Sequence, residues 1–228
     1  MKQSSGADKY RRIKKTIDIK AKSRGQQEYI DSIEDYELTI CDGPAGSGKS
    51  FISISMALKL YQESNGKYRK IIIVRPAIQA CNEDLGYLPG DISEKMHPYM
   101  GPILDAMGVV LDEGSNQTLF DHGVIEVMPI AFMRGRTFRD AIVIFDESQN
   151  STVEQMKLFL TRIGVNCKVI VEGDVTQSDL PGQLKKANGL QDALNRLEGV
   201  EGVNIVELQP IDIVRSDLVS RILERYDS

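Results

Sequence analysis

Apolar residues in this chain fall into short runs separated by polar, glycine-bearing turns, and the runs alternate with segments of helical spacing. The spacing of Tyr29, Ile30 and Ile33 predicts an amphipathic helix near 26–33. Leu38-Thr39-Ile40-Cys41 then reads as a strand, and Phe51 to Leu60, with few helix breakers, reads as a helix packed on a sheet. Further strands are expected near 70–74, 124, 141, 168 and 203, with helices near 152, 189 and 216 and a helical and loop insertion over 91–114. The run Ala141-Ile142-Val143-Ile144-Phe145 is apolar without alternation, as a strand buried on both faces must be. Strands alternating with helices predict an α/β fold with a parallel sheet covered by helices on both faces.

Between the first strand and the helix after it stands Gly43-Pro44-Ala45-Gly46-Ser47-Gly48-Lys49-Ser50, the pattern G-x-x-x-x-G-K-S. Gly46 and Gly48 let the backbone wrap so that several N–H groups converge on one anion, and a helix starting at Lys49 brings its positive N-terminal end to the same place. Lys49 adds a point charge for the terminal phosphates of a nucleotide, and the Ser50 hydroxyl suits a Mg²⁺ ion. Strand, glycine loop and helix follow in the order a phosphate cradle requires.

The 141–145 run ends in Asp146-Glu147-Ser148-Gln149, at the sheet edge where ligands bind in parallel sheets. Asp146 is the expected Mg²⁺ carboxylate, and Glu147 is placed to orient or deprotonate an attacking water. An adjacent glutamate of this kind argues for hydrolysis over transfer to a bound acceptor. The next strand ends in Gly173-Asp174-Val175-Thr176-Gln177. In the additional-strand class of P-loop ATPases such a strand lies between the P-loop strand and the Asp-Glu strand, so Gln177 is a candidate γ-phosphate sensor whose amide reaches phosphate or water.

The stretches Arg75-Pro76-Ala77, Leu85-Gly86-Tyr87-Leu88-Pro89-Gly90-Asp91, Met133-Arg134-Gly135-Arg136-Thr137, Asp146-Glu147-Ser148-Gln149-Asn150, Phe159-Leu160-Thr161-Arg162-Ile163-Gly164, Gly173-Asp174-Val175-Thr176-Gln177 and Asp212-Ile213-Val214-Arg215 carry a family resemblance. The chain resembles PhoH-family ATPases, which are themselves similar to the first motor lobe of superfamily 1 helicases. The likeness covers nearly everything after Gly25 and implies a single RecA-like P-loop lobe that binds ATP with Mg²⁺ and hydrolyses it. Ile78 to Asp84 and Pro181 to Ala187 depart from the family pattern. By the same resemblance Gln26 reads the adenine edge, which implies ATP over GTP; read from spacing alone, Gln26 is a surface residue of its helix. The Arg75–Ala77 and Met133–Thr137 stretches are candidate polymer-facing loops.

At 228 residues, 41% hydrophobic and 27% charged, the chain can bury a full core without disulfides or metals but has no room for a second motor lobe. A P-loop lobe alone leaves its site open on one side, which implies a ring, most simply a homohexamer, with an arginine reaching across each boundary. Arg215 is the first candidate and Arg136 the second, the alternative being an arginine tied to Asp212 or Asp217 on the surface. Residues 1–24 hold nine Lys or Arg against Asp8 and Asp18, a charge of +7 that leaves −12 for the remainder of a chain whose net charge is −5. We divide the chain into this basic arm and an ATPase domain over 25–228. The arm can contact single-stranded RNA or DNA, solubilise the chain, or dock on a neighbouring subunit. Cys41, Cys81 and Cys167 form no C-x-x-C pair, which suits packing in a reducing cytoplasm. His97 and His122 read as loop residues, and no leader or membrane span is expected. Two functions remain open: an ATPase that moves on or remodels single-stranded nucleic acid, or a nucleotide-gated protein whose ATP state controls assembly or a partner.

Overall fold

The computed structural model describes residues 16–76, 92–214 and Val219, the side chains of 92–99, 186 and 187 excepted. The expectations for residues 1–15, Cys81, the 85–91 stretch, the helix near 216 and Arg215 lie outside the described residues, as does the His97 side chain. Helix α1 (Arg24–Asp35) is started by Ser23, whose side chain accepts from Gln26 N, and strand β1 (Leu38–Asp42) follows. The Lys168 ammonium donates to Glu34 O at 2.9 Å and Tyr36 O at 2.5 Å, satisfying carbonyls at the end of α1. Helix α2 (Lys49–Glu63) and strand β2 (Lys70–Arg75) come next.

The insertion is more helical than its sequence suggests. Helix α3 (Ile92–Val110) runs through Pro98, Gly101 and Pro102, and a separate helix α4 (Glu113–Asp121) is capped by Asp112. Burial overrides poor propensity here, because Ile103, Ala106, Met107 and Val110 all join the core. Among the described residues the remaining strands and α-helices are β3 (Ile125–Pro129), β4 (Ala141–Phe145), α5 (Val153–Leu160), β5 (Cys167–Gly173), α6 (Gly189–Leu197) and β6 (Val203–Glu207).

The six strands among the described residues are all parallel, in the order β3-β2-β4-β5-β1-β6. The expected α/β architecture is therefore present, with β5 between the glycine-loop strand β1 and the Asp-Glu strand β4. One face packs Tyr29, Ile33, Ile52, Met56 and Met107 from α1, α2 and α3. The other packs Met156, Phe159, Leu190 and Ala193 from α5 and α6, with Phe145 stacked on Phe159 at 4.6 Å. Ile17 is buried in the first cluster, with Ile19 and Ala21 against it, so the described part of the basic arm is anchored to the lobe by apolar residues between its charges. Among the described residues no helix is long and apolar enough to cross a membrane.

Candidate functional site

The 43–50 loop leaves the end of β1 and enters α2 with Gly46 at φ 83° and Gly48 at φ 87°, left-handed values that a Cβ would strain. Ser47 closes the loop on itself by donating from Oγ to Pro44 O at 2.7 Å. Two neighbours brace it from outside. Gln26 Nε2 donates to Ser47 O at 2.9 Å and Asp212 O at 3.4 Å, while its Oε1 accepts from Lys22 N at 2.8 Å. Val214 N donates to Gly46 O at 3.1 Å. Lys49 Nζ lies back on the loop, donating to Gly43 O at 2.6 Å and Pro44 O at 3.1 Å.

Opposite the loop, Asp146 follows β4 and is buried. Its Oδ1 accepts from Ser50 Oγ at 3.2 Å and from Glu147 N at 2.9 Å. Its Oδ2 accepts from Arg75 Nε at 2.8 Å, and Arg75 Nη2 closes on the same oxygen. Glu147 sits at φ 54°, an uncommon conformation for a residue with a side chain, and Gln149 Nε2 holds its carboxylate at 2.7 Å. The other end of the Gln149 amide accepts from Asp174 N at 3.2 Å, so one buried glutamine ties the glutamate loop to the turn after β5. Gly173 makes that contact possible, since a Cβ there would meet Gln149 Oε1 at 2.4 Å. A cavity of about 270 Å³ is lined by Gly48, Lys49, Ser50, Asp146, Glu147 and Gln177.

Oxygen donors of this kind, a hydroxyl and a carboxylate on one point, fit a small hard cation such as Mg²⁺. No group of three or more His, Cys, Asp or Glu residues able to hold a metal occurs among the described residues.

Beneath the loop lies Glu172 of β5, fully buried and without a cation in hydrogen-bond contact among the described residues. Tyr29 OH donates to its Oε2 at 3.0 Å, and Ser53 Oγ stands 2.9 Å from its Oε1. Removal from water, and secondarily the charge of Asp146, push its carboxyl up to about 8. The same burial, with Glu172 beside it, pushes the Tyr29 phenol upward.

The structure thus gathers Lys49, Ser50, Asp146, Glu147 and Gln177 around one cavity. Gln26, read from spacing as a surface residue of its helix, is instead buried, with its amide engaged at both ends as a brace of the loop. Arg75 does not face outward as a polymer contact, being 8% exposed and paired with Asp146. Arg136 is held within its own chain, its two terminal nitrogens donating to Glu126 at 2.9 and 3.2 Å. Arg75, Gln149 and Glu172 are the residues whose roles the sequence did not reveal. Arg75 and Gln149 stand in stretches that carry the family resemblance, and Glu172 is a lone carboxylate in an apolar strand, but none of the three shows its partner in the sequence.

Comparison with known proteins agrees with this geometry. The family model described as PhoH-like protein matches residues 18–227. The PhoH-like protein of Bacillus subtilis is 45% identical over 209 residues, covering 92% of this chain and 64% of that protein. Protein PhoH of Escherichia coli is 45% identical over 213 residues, covering 92% of this chain and 59% of the relative. The chain therefore spans about three fifths of the length of these curated relatives. Among solved structures, the large terminase of a thermophilic bacteriophage superposes with a TM-score of 0.50 at 13% identity, over 89% of this chain and 50% of that one, a likeness of fold. With its glycine loop, Asp-Glu strand and intervening strand in one parallel sheet, the chain is a nucleotide-binding P-loop protein and belongs to the PhoH-like protein family.

Proposed function

We propose that this chain is a Mg²⁺-dependent ATP hydrolase that couples turnover to movement on, or remodelling of, single-stranded nucleic acid, RNA in preference to DNA. The observation that carries the hydrolase reading is the meeting of Ser50 and Asp146 at 3.2 Å beside a cavity that Lys49, Glu147 and Gln177 also line. Lys49 leaves the Gly43 and Pro44 carbonyls for the terminal phosphates, where its charge is worth more. Ser50 and Asp146 would hold the Mg²⁺, which would supply charge neutralisation for the reacting phosphates. Glu147, fixed by Gln149, orients the attacking water and accepts its proton. Gln177 reads the γ-phosphate and passes its loss to the turn after β5.

The nucleic-acid part of the reading rests on the basic 1–24 segment of an otherwise acidic chain, which suits phosphate contacts that weaken with salt. The free thiols Cys41 and Cys167 fit work in the cytoplasm. With Arg136 committed to Glu126, Arg215 is our arginine in trans, acting across the boundaries of a homohexameric ring. The test is phosphate release from ATP with and without Mg²⁺, single-stranded RNA and single-stranded DNA. We expect release that needs Mg²⁺ and rises several-fold with RNA. A rate that neither polymer changes would favour a nucleotide-gated assembly protein.

A further inference from the structure

Among the described residues, Glu172 is the fully buried carboxylate that the proposed chemistry leaves unused. Its neighbours come from every part of the site. The main-chain carbonyl accepts from Ser148 Oγ at 2.8 Å, which ties β5 to the loop after Glu147. The side chain reaches Tyr29 on α1 and Ser53 on α2. Cys41 stands beside it on β1, in register across the parallel ladder.

Ser53 decides what Glu172 does. Its Oγ stands 2.9 Å from Glu172 Oε1 and 3.2 Å from Ser50 O, yet a hydroxyl has one proton. With an ionised Glu172 that proton must turn to the carboxylate, and the bond to Ser50 O is given up. With a protonated Glu172 every group is served: Oε1–H donates to Ser53, Ser53 donates to Ser50 O, and Tyr29 donates to Oε2. We propose that Glu172 is a positioning residue for the nucleotide site, its uncharged carboxyl donating to Ser53 and Ser53 to the Ser50 carbonyl. This two-bond strut sets the first turn of α2 so that Lys49 and the Ser50 hydroxyl face the phosphates.

The charged and titratable groups around Glu172 are Tyr29 on α1, Cys41 on β1, Lys49 on α2 and Asp146 after β4. Asp146 favours the uncharged form and Lys49 opposes it, while burial dominates both. The strut therefore holds near neutral pH and fails as Glu172 ionises, near pH 8.

The role rests on the hydrolase reading above, and the experiment separates the two. Phosphate release and KM for ATP are measured from about pH 6.5 to about pH 9, a window that brackets the Glu172 titration, for the wild type, Glu172→Leu, Glu172→Gln and Ser53→Ala. Leucine and the Ser53 change should each lower kcat by about tenfold or more with little change in KM, as misplacement of catalytic groups does. Glutamine, which donates and accepts at the same two atoms, should rescue kcat and abolish the alkaline fall seen in the wild type. Should leucine fail to fold, the contrast between the glutamine and wild-type pH profiles still decides. Glutamine as impaired as leucine, Ser53→Ala at full kcat, or identical alkaline limbs would overturn the strut. A wild type that releases no phosphate would instead overturn the hydrolase reading.

Discussion

Asp146 and Glu172 are two buried carboxylates that directly follow the paired residues Phe145 and Val171 on adjacent strands, yet their surroundings are opposite. Asp146 meets a cation: Arg75 takes one oxygen and leaves the other to Ser50. The Glu172 carboxyl meets hydroxyls, those of Tyr29 and Ser53. A carboxylate compensated by a guanidinium can present charge to a metal, whereas one compensated by hydroxyls is cheaper to bury with its proton. Burial alone thus does not fix what an acidic side chain does at the edge of a sheet; the partner that the fold brings to it does.

The largest effect should come from breaking the charged member of the pair. Asp146→Ala leaves Arg75 buried without its carboxylate, and we expect a loss of about 3–5 kcal/mol in urea unfolding together with loss of hydrolysis. Arg75→Met should cost a similar amount. Because both substitutions remove the same ion pair, the double variant should be less damaged than the sum. Additive losses would mean that the ion pair is incidental.

Glu172 should show its nature through pH. Its carboxyl titrates about 8 in the folded protein against 4.5 for an ordinary glutamate, so the folded state holds the proton more tightly than the unfolded chain. The contribution of Glu172 to stability therefore declines as pH rises from 4.5 to about 8 and levels above it. Glu172→Gln carries no such group, and its urea midpoint should gain on the wild type across that window. A difference independent of pH would place Glu172 among ordinary carboxylates. The smallest effect belongs to Tyr29→Phe, which removes one donor from Oε2 and should cost about 1 kcal/mol, read as a shifted urea midpoint with an unchanged slope.

These contrasts also mark what a linear reading could reach. The strands around 38–41, 70–74 and 141–145 announce themselves because a strand buried on both faces must be apolar along its length. The glycine loop and the Asp-Glu strand end are local motifs, and the parallel order that brings them together follows from alternation of strands and helices. Partners distant in sequence were not legible. Arg75 pairs with Asp146 across 71 positions, and Tyr29 reaches Glu172 across 143. Gln26 shows the same limit from another side, because an amide that suits a base edge equally suits a backbone carbonyl, and only the folded loop offers Ser47 O. Helix in the 91–114 insertion was legible, but its unbroken run through Pro98 and Pro102 was not, because its stability comes from the face it buries against α2.

The proposed role of Glu147 as general base makes Glu147→Gln the decisive variant. Affinity for ATP and phosphate release should be measured on one preparation of the variant beside the wild type with Mg²⁺ present. Binding should be near normal, because Lys49, Ser50 and Asp146 are untouched, and the rate lower by roughly 10²- to 10⁴-fold, the range for loss of a general base. Turnover close to that of the wild type, with binding intact, would contradict that role.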